Sequence, residues 1–210
     1  MKYFAALLAL AATGSWTIHR LPFLLANGET ARKYLPSTTP GGIAVFDYDG
    51  DGKLDLYFPN GGALPNGKKA PNRLLRNLGG MKFEDVTART GVGGKDFDIG
   101  AAVGDFDNDG CLDMVPTALN AEARILRNPC DTGRSWLKVD VRRPGARVRV
   151  GNQWRQMTTA VGYGSSYAGP LHFGLGSGVL QKCWATRPRR VGKCESWWGN
   201  SAGSGSEPQL

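Results

Sequence analysis

Two short stretches of the sequence place aspartates at a spacing suited to metal binding. The first, residues 47–55, reads Asp-Tyr-Asp-Gly-Asp-Gly-Lys-Leu-Asp, with acids at positions 1, 3, 5 and 9 and glycine at position 6. Calcium is a hard cation that takes about six to eight oxygen ligands, and acids at alternate positions of a tight loop can direct several oxygens at one centre. Position 6 needs a positive φ angle, which glycine adopts easily. We therefore predict a calcium-binding loop, in which Lys53 at position 7 contributes only its backbone carbonyl.

The same pattern returns at residues 105–113, which read Asp-Phe-Asp-Asn-Asp-Gly-Cys-Leu-Asp. Short apolar runs flank both copies, and they are rich in β-branched and aromatic residues, which favours strands. The flanking runs are residues 42–46 and 54–58 around the first copy, and 100–104 and 112–116 around the second. The sequence thus predicts two strand-loop-strand calcium sites.

Two other interpretations of the aspartate loops can be weighed from the sequence. An EF-hand needs a bidentate glutamate at position 12 and a helix on each side, whereas position 12 is Phe58 in one copy and Pro116 in the other. An EF-hand is therefore excluded. A pair of Asp-rich turns that never bind metal stays an alternative.

Composition points to a turn-rich, all-β protein. The chain has 210 residues, of which 41% are hydrophobic, and it contains 30 glycines and 12 prolines. Its net charge of +8 is opposite to that of an acidic calcium buffer, so the predicted calcium sites are structural. The basic residues Arg142, Arg143, Arg147, Arg149 and Arg155 lie close together and could meet an anionic polymer. Because Arg147 and Arg149 alternate with valines, a solvated strand face is favoured, and no nucleic-acid partner is expected.

The N-terminus has the pattern of a secretory signal peptide. Residues 1–14 carry Lys2, then a short apolar run that ends in small residues and is too short to cross a bilayer. Residues 15–41 are predicted to be an extended segment that leads into the first strand. The prediction is export to a secreted or periplasmic location, with no membrane span.

Four cysteines allow three pairings. Cys111 and Cys130 are placed symmetrically about residues 120–121, with predicted strands at 112–117 and 123–128 between them. A hairpin centred there would bring the two cysteines opposite each other as a disulfide. Cys183 and Cys194 would then pair if the C-terminal tail folds.

No arrangement of side chains in the sequence predicts catalysis. Residues 164–168, Gly-Ser-Ser-Tyr-Ala, come close to a nucleophile elbow, but they end in alanine and no helix follows. The two histidines, His19 and His172, lie apart from any predicted base or metal partner. We therefore expect a protein that is not an enzyme. A deep pocket with polar groups near Ser166 and His172 would favour the alternative, action on a small molecule or glycan.

The run from residue 42 to residue 128 resembles FG-GAP, or VCBS, repeats. The matching motifs are Ala-Val-x-Asp-x-Asp-x-Asp-Gly-x-Leu-Asp, Asn-Arg-Leu-x-Arg-Asn and Phe-x-Asp-Val-Thr. Residues 135–176 are similar to the ASPIC/UnbV domain that follows such repeats in the cartilage acidic protein-like family. The resemblance implies propeller-type blades with Ca²⁺ between the first two strands of each. Its implied ligands are Asp47, Asp49, Asp51, Asp55 and the carbonyl of Lys53, then Asp105, Asp107, Asp109, Asp113 and the carbonyl of Cys111.

The chain departs from this family in length. A closed propeller needs at least about four blades, and only two units are visible, so the predicted fold is all-β, with an incomplete propeller followed by a small β domain. The predicted divisions are repeat 1 at 42–98, repeat 2 at 99–134, the partial ASPIC/UnbV region at 135–176 and an atypical, disordered tail at 177–210. An oligomer could complete the sheet.

These features together predict a secreted calcium-binding repeat protein of the recognition or adhesion type. Its partner would be an extracellular or periplasmic macromolecule, either protein or glycan. Besides the small-molecule alternative, a non-functional truncated remnant of a longer gene also fits the missing blades and the unusual tail.

Overall fold

The computed structural model describes residues 17–26, 41–62, 70–107, 109–129, 133–141, 144–158, 160–162, 165–166, 170–177, 183–187, 190–192 and 196–200. The predicted signal peptide lies outside these residues. Nearly all of the regular structure is β-strand, which confirms the all-β class. No helix in the described part of the chain has the length and apolar character needed to cross a membrane.

The first sheet is a four-stranded antiparallel meander. Its strands pair in chain order, and they are β1 (Ala44–Phe46), β2 (Asp55–Phe58), β3 (Arg73–Gly79) and β4 (Lys82–Asp85). Loop 1, residues 47–55, joins β1 to β2. At the β3–β4 turn, Gly79 and Gly80 have φ angles of 87° and 58°. Strands β1 and β2 were predicted, because each is a short apolar run beside the aspartate loop. A short helix, α1 (Thr87–Thr90), follows.

The second sheet is a two-stranded antiparallel pair. It consists of β5 (Phe97–Gly104) and β6 (Asp113–Leu119), joined by loop 2, residues 105–113. The predicted strand at 123–128 is reduced to one antiparallel bridge between Met114 and Leu126. On either side of Leu126, Arg124 and Arg127 form ion pairs with aspartates of the second unit. Propeller blades therefore stay a prediction, since this unit has two strands where the first has four.

One core is shared by the two aspartate-loop units. Residues from β1, β2 and β3 meet residues from β5 and β6 in a single buried cluster. Its members are Ala44, Phe46, Tyr57, Leu74, Val86, Ala101, Leu112 and Met114. Burial of these apolar side chains holds the two loops at one end of a common body.

The described residues of the C-terminal unit form nine short strands with a core of their own. The strands are β7 (Ser135–Val139), β8 (Arg147–Val150), β9 (Gln153–Gln156), β10 (Ala160–Gly162), β11 (Ser165–Ser166), β12 (Leu171–Gly176), β13 (Cys183–Arg187), β14 (Arg190–Gly192) and β15 (Ser196–Asn200). They form sheets in the orders β12-β7-β15, β14-β13-β8-β9 and β10-β11. The core consists of Leu137, Val139, Val148, Val150, Met157, Leu171 and Phe173.

Strand β8 tests the interpretation of Arg147 and Arg149 as part of a solvated strand face. Val148 and Val150 are buried, whereas Arg147 and Arg149 are exposed. This alternation confirms the prediction of a solvated strand face, in which the arginines follow the period of the pleat.

Three described segments of the tail, which was predicted to be disordered, are strands. β13 pairs with β8 and β15 pairs with β7. These segments contain Trp184, Val191 and Trp197, whose residue types favour strands. Most of residues 177–210 lie outside the described residues, so the disorder of the tail stays a prediction.

Candidate metal centre: two aspartate loops

Loop 1 is held by hydrogen bonds from its own backbone to its aspartates. The carboxylate of Asp47 accepts from the backbone N–H of Asp51 at 3.0 Å and of Gly52 at 2.8 Å. Asp51 accepts from the N–H of Lys53 at 2.9 Å. Gly52 has a φ of 89°, which confirms the positive φ predicted for position 6. The loop is therefore wound around its first aspartate.

Loop 2 repeats two of these three hydrogen bonds, whereas among the described residues Asp105 Oδ1 has no partner that corresponds to the Asp51–Asp47 bond. Asp105 accepts from the N–H of Gly110 at 2.9 Å, as Asp47 does from Gly52. Asp109 accepts from the N–H of Cys111 at 2.9 Å, as Asp51 does from Lys53. Gly110 has a φ of 91°. Equal hydrogen bonds at equal positions show that the sequence repeat is also a structural repeat.

The position-9 aspartates tie each loop to an asparagine further along the chain. Asp55 accepts from the N–H of Tyr48 at 2.9 Å and of Asn77 at 2.7 Å. Asp113 does the same with Phe106 at 3.0 Å and Asn128 at 2.8 Å. Each of these carboxylates thus closes its loop and fixes the loop against the following segment.

Three carboxylates gather in each loop. Oxygens of Asp47, Asp49 and Asp55 all lie within 4.8 Å of one another, and so do oxygens of Asp105, Asp107 and Asp109. Ca–O distances of about 2.3–2.6 Å place opposite ligands about 5 Å apart, so both clusters have a suitable size for the ion. Asp51 and Asp113 were also predicted as ligands but lie outside the clusters. The predicted carbonyl ligands of Lys53 and Cys111 stay predictions.

One arginine bridges two acids in each loop. Arg76 Nη2 lies 2.8 Å from Asp49 and 3.6 Å from Asp51. Arg127 pairs with Asp107 and, at 3.1 Å, with Asp109. The acids are those at positions 3 and 5 in both cases. The sequence analysis missed this role, although the repeated Arg-Asn dipeptide at residues 76–77 and 127–128 was a usable signal.

Further cations reach the loops from more distant parts of the chain. Lys53 Nζ lies 2.5 Å from Asp51, and Arg134 Nη1 lies 3.0 Å from Asp49. Lys138, on β7, forms an ion pair with Asp105. No repeated motif marks Arg134 or Lys138, so sequence alone offered no signal for them.

Burial separates the electrostatics of the two loops. In loop 1, Asp47 is 3% exposed and Asp55 is 0% exposed. Burial, the largest cause, raises the pKa of Asp47 to about 6 and of Asp55 to about 7. In loop 2, the hydrogen bond from Arg127 lowers the pKa of Asp107, which is exposed. Asp113 of loop 2 is buried as well, at 1% exposed, and burial raises the pKa of Asp109. The clearest difference is therefore at position 3, where Asp49 is buried and Asp107 is exposed.

The C-terminal unit packs directly against both loops. A Cβ atom at Gly174 of β12 would lie 2.0 Å from Asp47 Oδ2, and one at Gly110 would lie 1.9 Å from Trp136 Nε1. His172 Nε2 donates to the carbonyl of Gly110 at 2.7 Å. Burial lowers the pKa of His172 to about 4, so the imidazole is neutral at pH 7. The loops are thus close-packed parts of an interface.

No family model matches this chain, and no curated protein matches it. The resemblance to FG-GAP/VCBS repeats and to the ASPIC/UnbV domain therefore stays a prediction.

The remaining predicted site residues have mixed outcomes. Cys111 is buried, at 4% exposed, and Cys130 lies outside the described residues, so their pairing stays a prediction. Ser166 ends β11, and its side chain is likewise not described. His172 lies on β12 and lines a cavity of about 360 Å³.

Proposed function

We propose that this protein is an exported calcium-binding repeat protein in which two structural calcium ions order loops that recognise another macromolecule. The observation that carries the proposal is the repeated carboxylate cluster. Two loops 58 residues apart in sequence, counted from Asp47 to Asp105, gather acids from the same positions 1 and 3. A third acid completes each cluster.

The charge state of loop 1 gives the proposal its physical reason. Asp47 and Asp55 are buried, and the pKa of both carboxyls is raised. Buried carboxylates of like charge are costly to ionise unless a cation is nearby. A divalent ion at the cluster would offset that cost and allow both groups to be ionised at neutral pH.

Macromolecular recognition is the second part of the proposal. Calcium would fix each loop and, through Gly174 and Gly110, the junction with the C-terminal unit. Rigid loops on a β scaffold suit recognition because little ordering entropy is lost on binding. The partner proposed is an extracellular or periplasmic protein or glycan, and no catalytic step is proposed.

The competing explanation is that arginines, rather than metal ions, neutralise the acids of the loops. Arg76 and Arg127 each neutralise two acids, as expected for Asp-rich turns that need no metal. They contact the acids at positions 3 and 5, and neither is paired with Asp47 or Asp55 among the described ion pairs. The two explanations therefore differ in what neutralises the buried acids of loop 1.

Thermal unfolding of the mature chain in millimolar calcium and in chelator separates these explanations. A bound ion stabilises the folded state by about 1–3 kcal/mol when calcium is well above its dissociation constant. The double variant Asp47→Asn/Asp105→Asn should lose this shift, and Glu84→Gln, an acid on β4 outside both loops, should keep it. Equal melting temperatures of the wild type in calcium and chelator would contradict the proposal.

A further inference from the structure

A cavity of about 360 Å³ lies where the aspartate-loop units meet the C-terminal unit. Its volume is within the range of small-molecule sites, about 300–1,000 Å³. Val45 and Ala101 line it from β1 and β5, and Leu171 lines it from β12. The wall is mostly apolar, so a ligand would bury mainly hydrocarbon there.

Arg155 supplies a positive charge to this apolar wall. Its guanidinium donates to the carbonyl of Trp154 and to Gln153 Oε1, both at 3.1 Å, and lies 5.4 Å from the centre of the Phe173 ring. Among the described ion pairs, none joins Arg155 to a carboxylate. Burial lowers the pKa of this guanidinium, which is the direction expected for a cation that is poorly solvated.

His172 also lines the cavity, but its ring nitrogens are not available to a ligand. Because the carbonyl of Gly110 can only accept a hydrogen bond, the Nε2 atom of His172 carries the proton of the neutral ring. Its Nδ1 atom is then an acceptor, and this atom is buried, so a ligand in the cavity does not reach it.

The aspartate in the cavity wall already accepts hydrogen bonds from the backbone. Asp47 also lines the cavity, but its two carboxylate oxygens accept hydrogen bonds from loop 1, and it is a proposed calcium ligand. With calcium bound, the charge left for a ligand to meet is that of Arg155. An anionic head group is therefore favoured over a cationic one.

We propose that this cavity binds an apolar carboxylate, with the carboxylate against Arg155 and the hydrocarbon along the wall formed by Val45, Ala101 and Leu171. Leu54 of loop 1 and Leu112 of loop 2 also line the cavity, so this ligand site adjoins the loops proposed above to recognise a macromolecule. It needs no catalytic step.

Calorimetric titration of the full chain in millimolar calcium with decanoate and decylamine tests the proposal. We expect decanoate to bind and decylamine to bind at least tenfold more weakly. Arg155→Gln should weaken decanoate at least tenfold. Arg149→Gln, an exposed arginine on the neighbouring β8, is the matched control and should leave binding unchanged.

A second variant keeps the test valid if Arg155 also supports the fold. Val45 is 50% exposed on the cavity wall, so Val45→Trp should fill the cavity while circular dichroism stays that of the wild type. Loss of decanoate binding in this variant supports the site. Absence of decanoate binding to the wild type, equal binding of decylamine, or undiminished binding to Arg155→Gln or Val45→Trp would overturn the proposal.

Discussion

Loop 1 and loop 2 share most of their backbone hydrogen bonds but lie in different surroundings. Asp47, Asp49 and Asp55 are buried in loop 1, whereas Asp107 of loop 2 is exposed and paired with Arg127. A nine-residue pattern is thus sufficient to set the shape of a loop. The cost of keeping its carboxylates ionised depends on the distant residues that cover the loop.

The largest loss of stability is expected when the glycines at the contact between the loops and the C-terminal unit are replaced. Gly174→Ala would place a Cβ atom 2.0 Å from Asp47 Oδ2 and 2.7 Å from the backbone of Gly50, and Gly110→Ala would place one 1.9 Å from Trp136 Nε1. We expect each to lower the free energy of unfolding by about 3 kcal/mol or more, measured by denaturant titration.

Gly80→Ala is the control for the glycine variants. Gly80 has a positive φ of 58°, but nothing lies within 4 Å of its Cβ position, so its cost should be limited to about 1 kcal/mol of backbone strain. If Gly174→Ala were no more costly than Gly80→Ala, the close packing of loop 1 against β12 would be refuted.

The next largest loss of stability is expected from the aspartate that closes each loop. In Asp55→Asn and Asp113→Asn, one of the two backbone N–H groups that the carboxylate accepts from would face the NH₂ group of the new amide. We therefore expect each variant to lower the free energy of unfolding by about 1–3 kcal/mol. Because the hydrogen bonds are the same, the two losses should be similar in chelator. A loss in only one variant would show that the repeat is not energetically equivalent.

The pH dependence of stability should distinguish the loops. The pKa of Asp47 is raised to about 6 and that of Asp55 to about 7, from 3.8. The folded state therefore holds protons that the unfolded state has released, so the stability they contribute is present below about pH 4 and lost as pH rises through 6 to 7. Thermal unfolding in chelator at a series of pH values should show this fall in stability.

Asp47→Asn should flatten that pH dependence, because the variant removes one of the two titrating groups. Asp107→Asn should not flatten it, since the pKa of Asp107 is lowered. Calcium should reverse the trend in the wild type, because a bound cation favours the ionised carboxylates. Stability in chelator that rises between pH 5 and 7 would contradict the assigned burial.

The smallest effect is expected for the bridging arginines. The side chain of Arg127 is 62% exposed, whereas that of Arg76 is 25% exposed and pairs with the more buried acids of loop 1. Exposed ion pairs contribute little to stability. Arg127→Gln should leave the melting temperature in chelator unchanged, and Arg76→Gln should lower it. A larger fall in melting temperature for Arg127→Gln than for Arg76→Gln would contradict the difference in burial between the loops.

The local geometry of the loops was predictable because it depends on neighbouring residues. The acids at positions 1 and 3, the glycines at position 6 and the strands on both sides all follow from residue type and spacing within a few residues. The strand at 123–128 did not form as predicted, and only Leu126 pairs, with Met114 of β6. Local propensity is a weak guide to whether such a short run joins a sheet.

The surroundings of the loops were not predictable because they depend on long-range packing. Trp136, His172 and Gly174 approach the loops from strands that are far away in sequence, and no short motif encodes that contact. The strands of the tail likewise depend on sheet edges supplied by β7 and β8. A cavity lined by residues from three parts of the chain is invisible to any local pattern.

Equilibrium dialysis of the mature chain against millimolar calcium tests the central claim most directly, because it counts bound ions. We expect two calcium ions per chain in the wild type, one in Asp47→Asn, one in Asp105→Asn and none in the double variant. Glu84→Gln should retain two. No bound calcium in the wild type, or equal uptake by the wild type and the double variant, would contradict the assignment of the two loops as calcium sites.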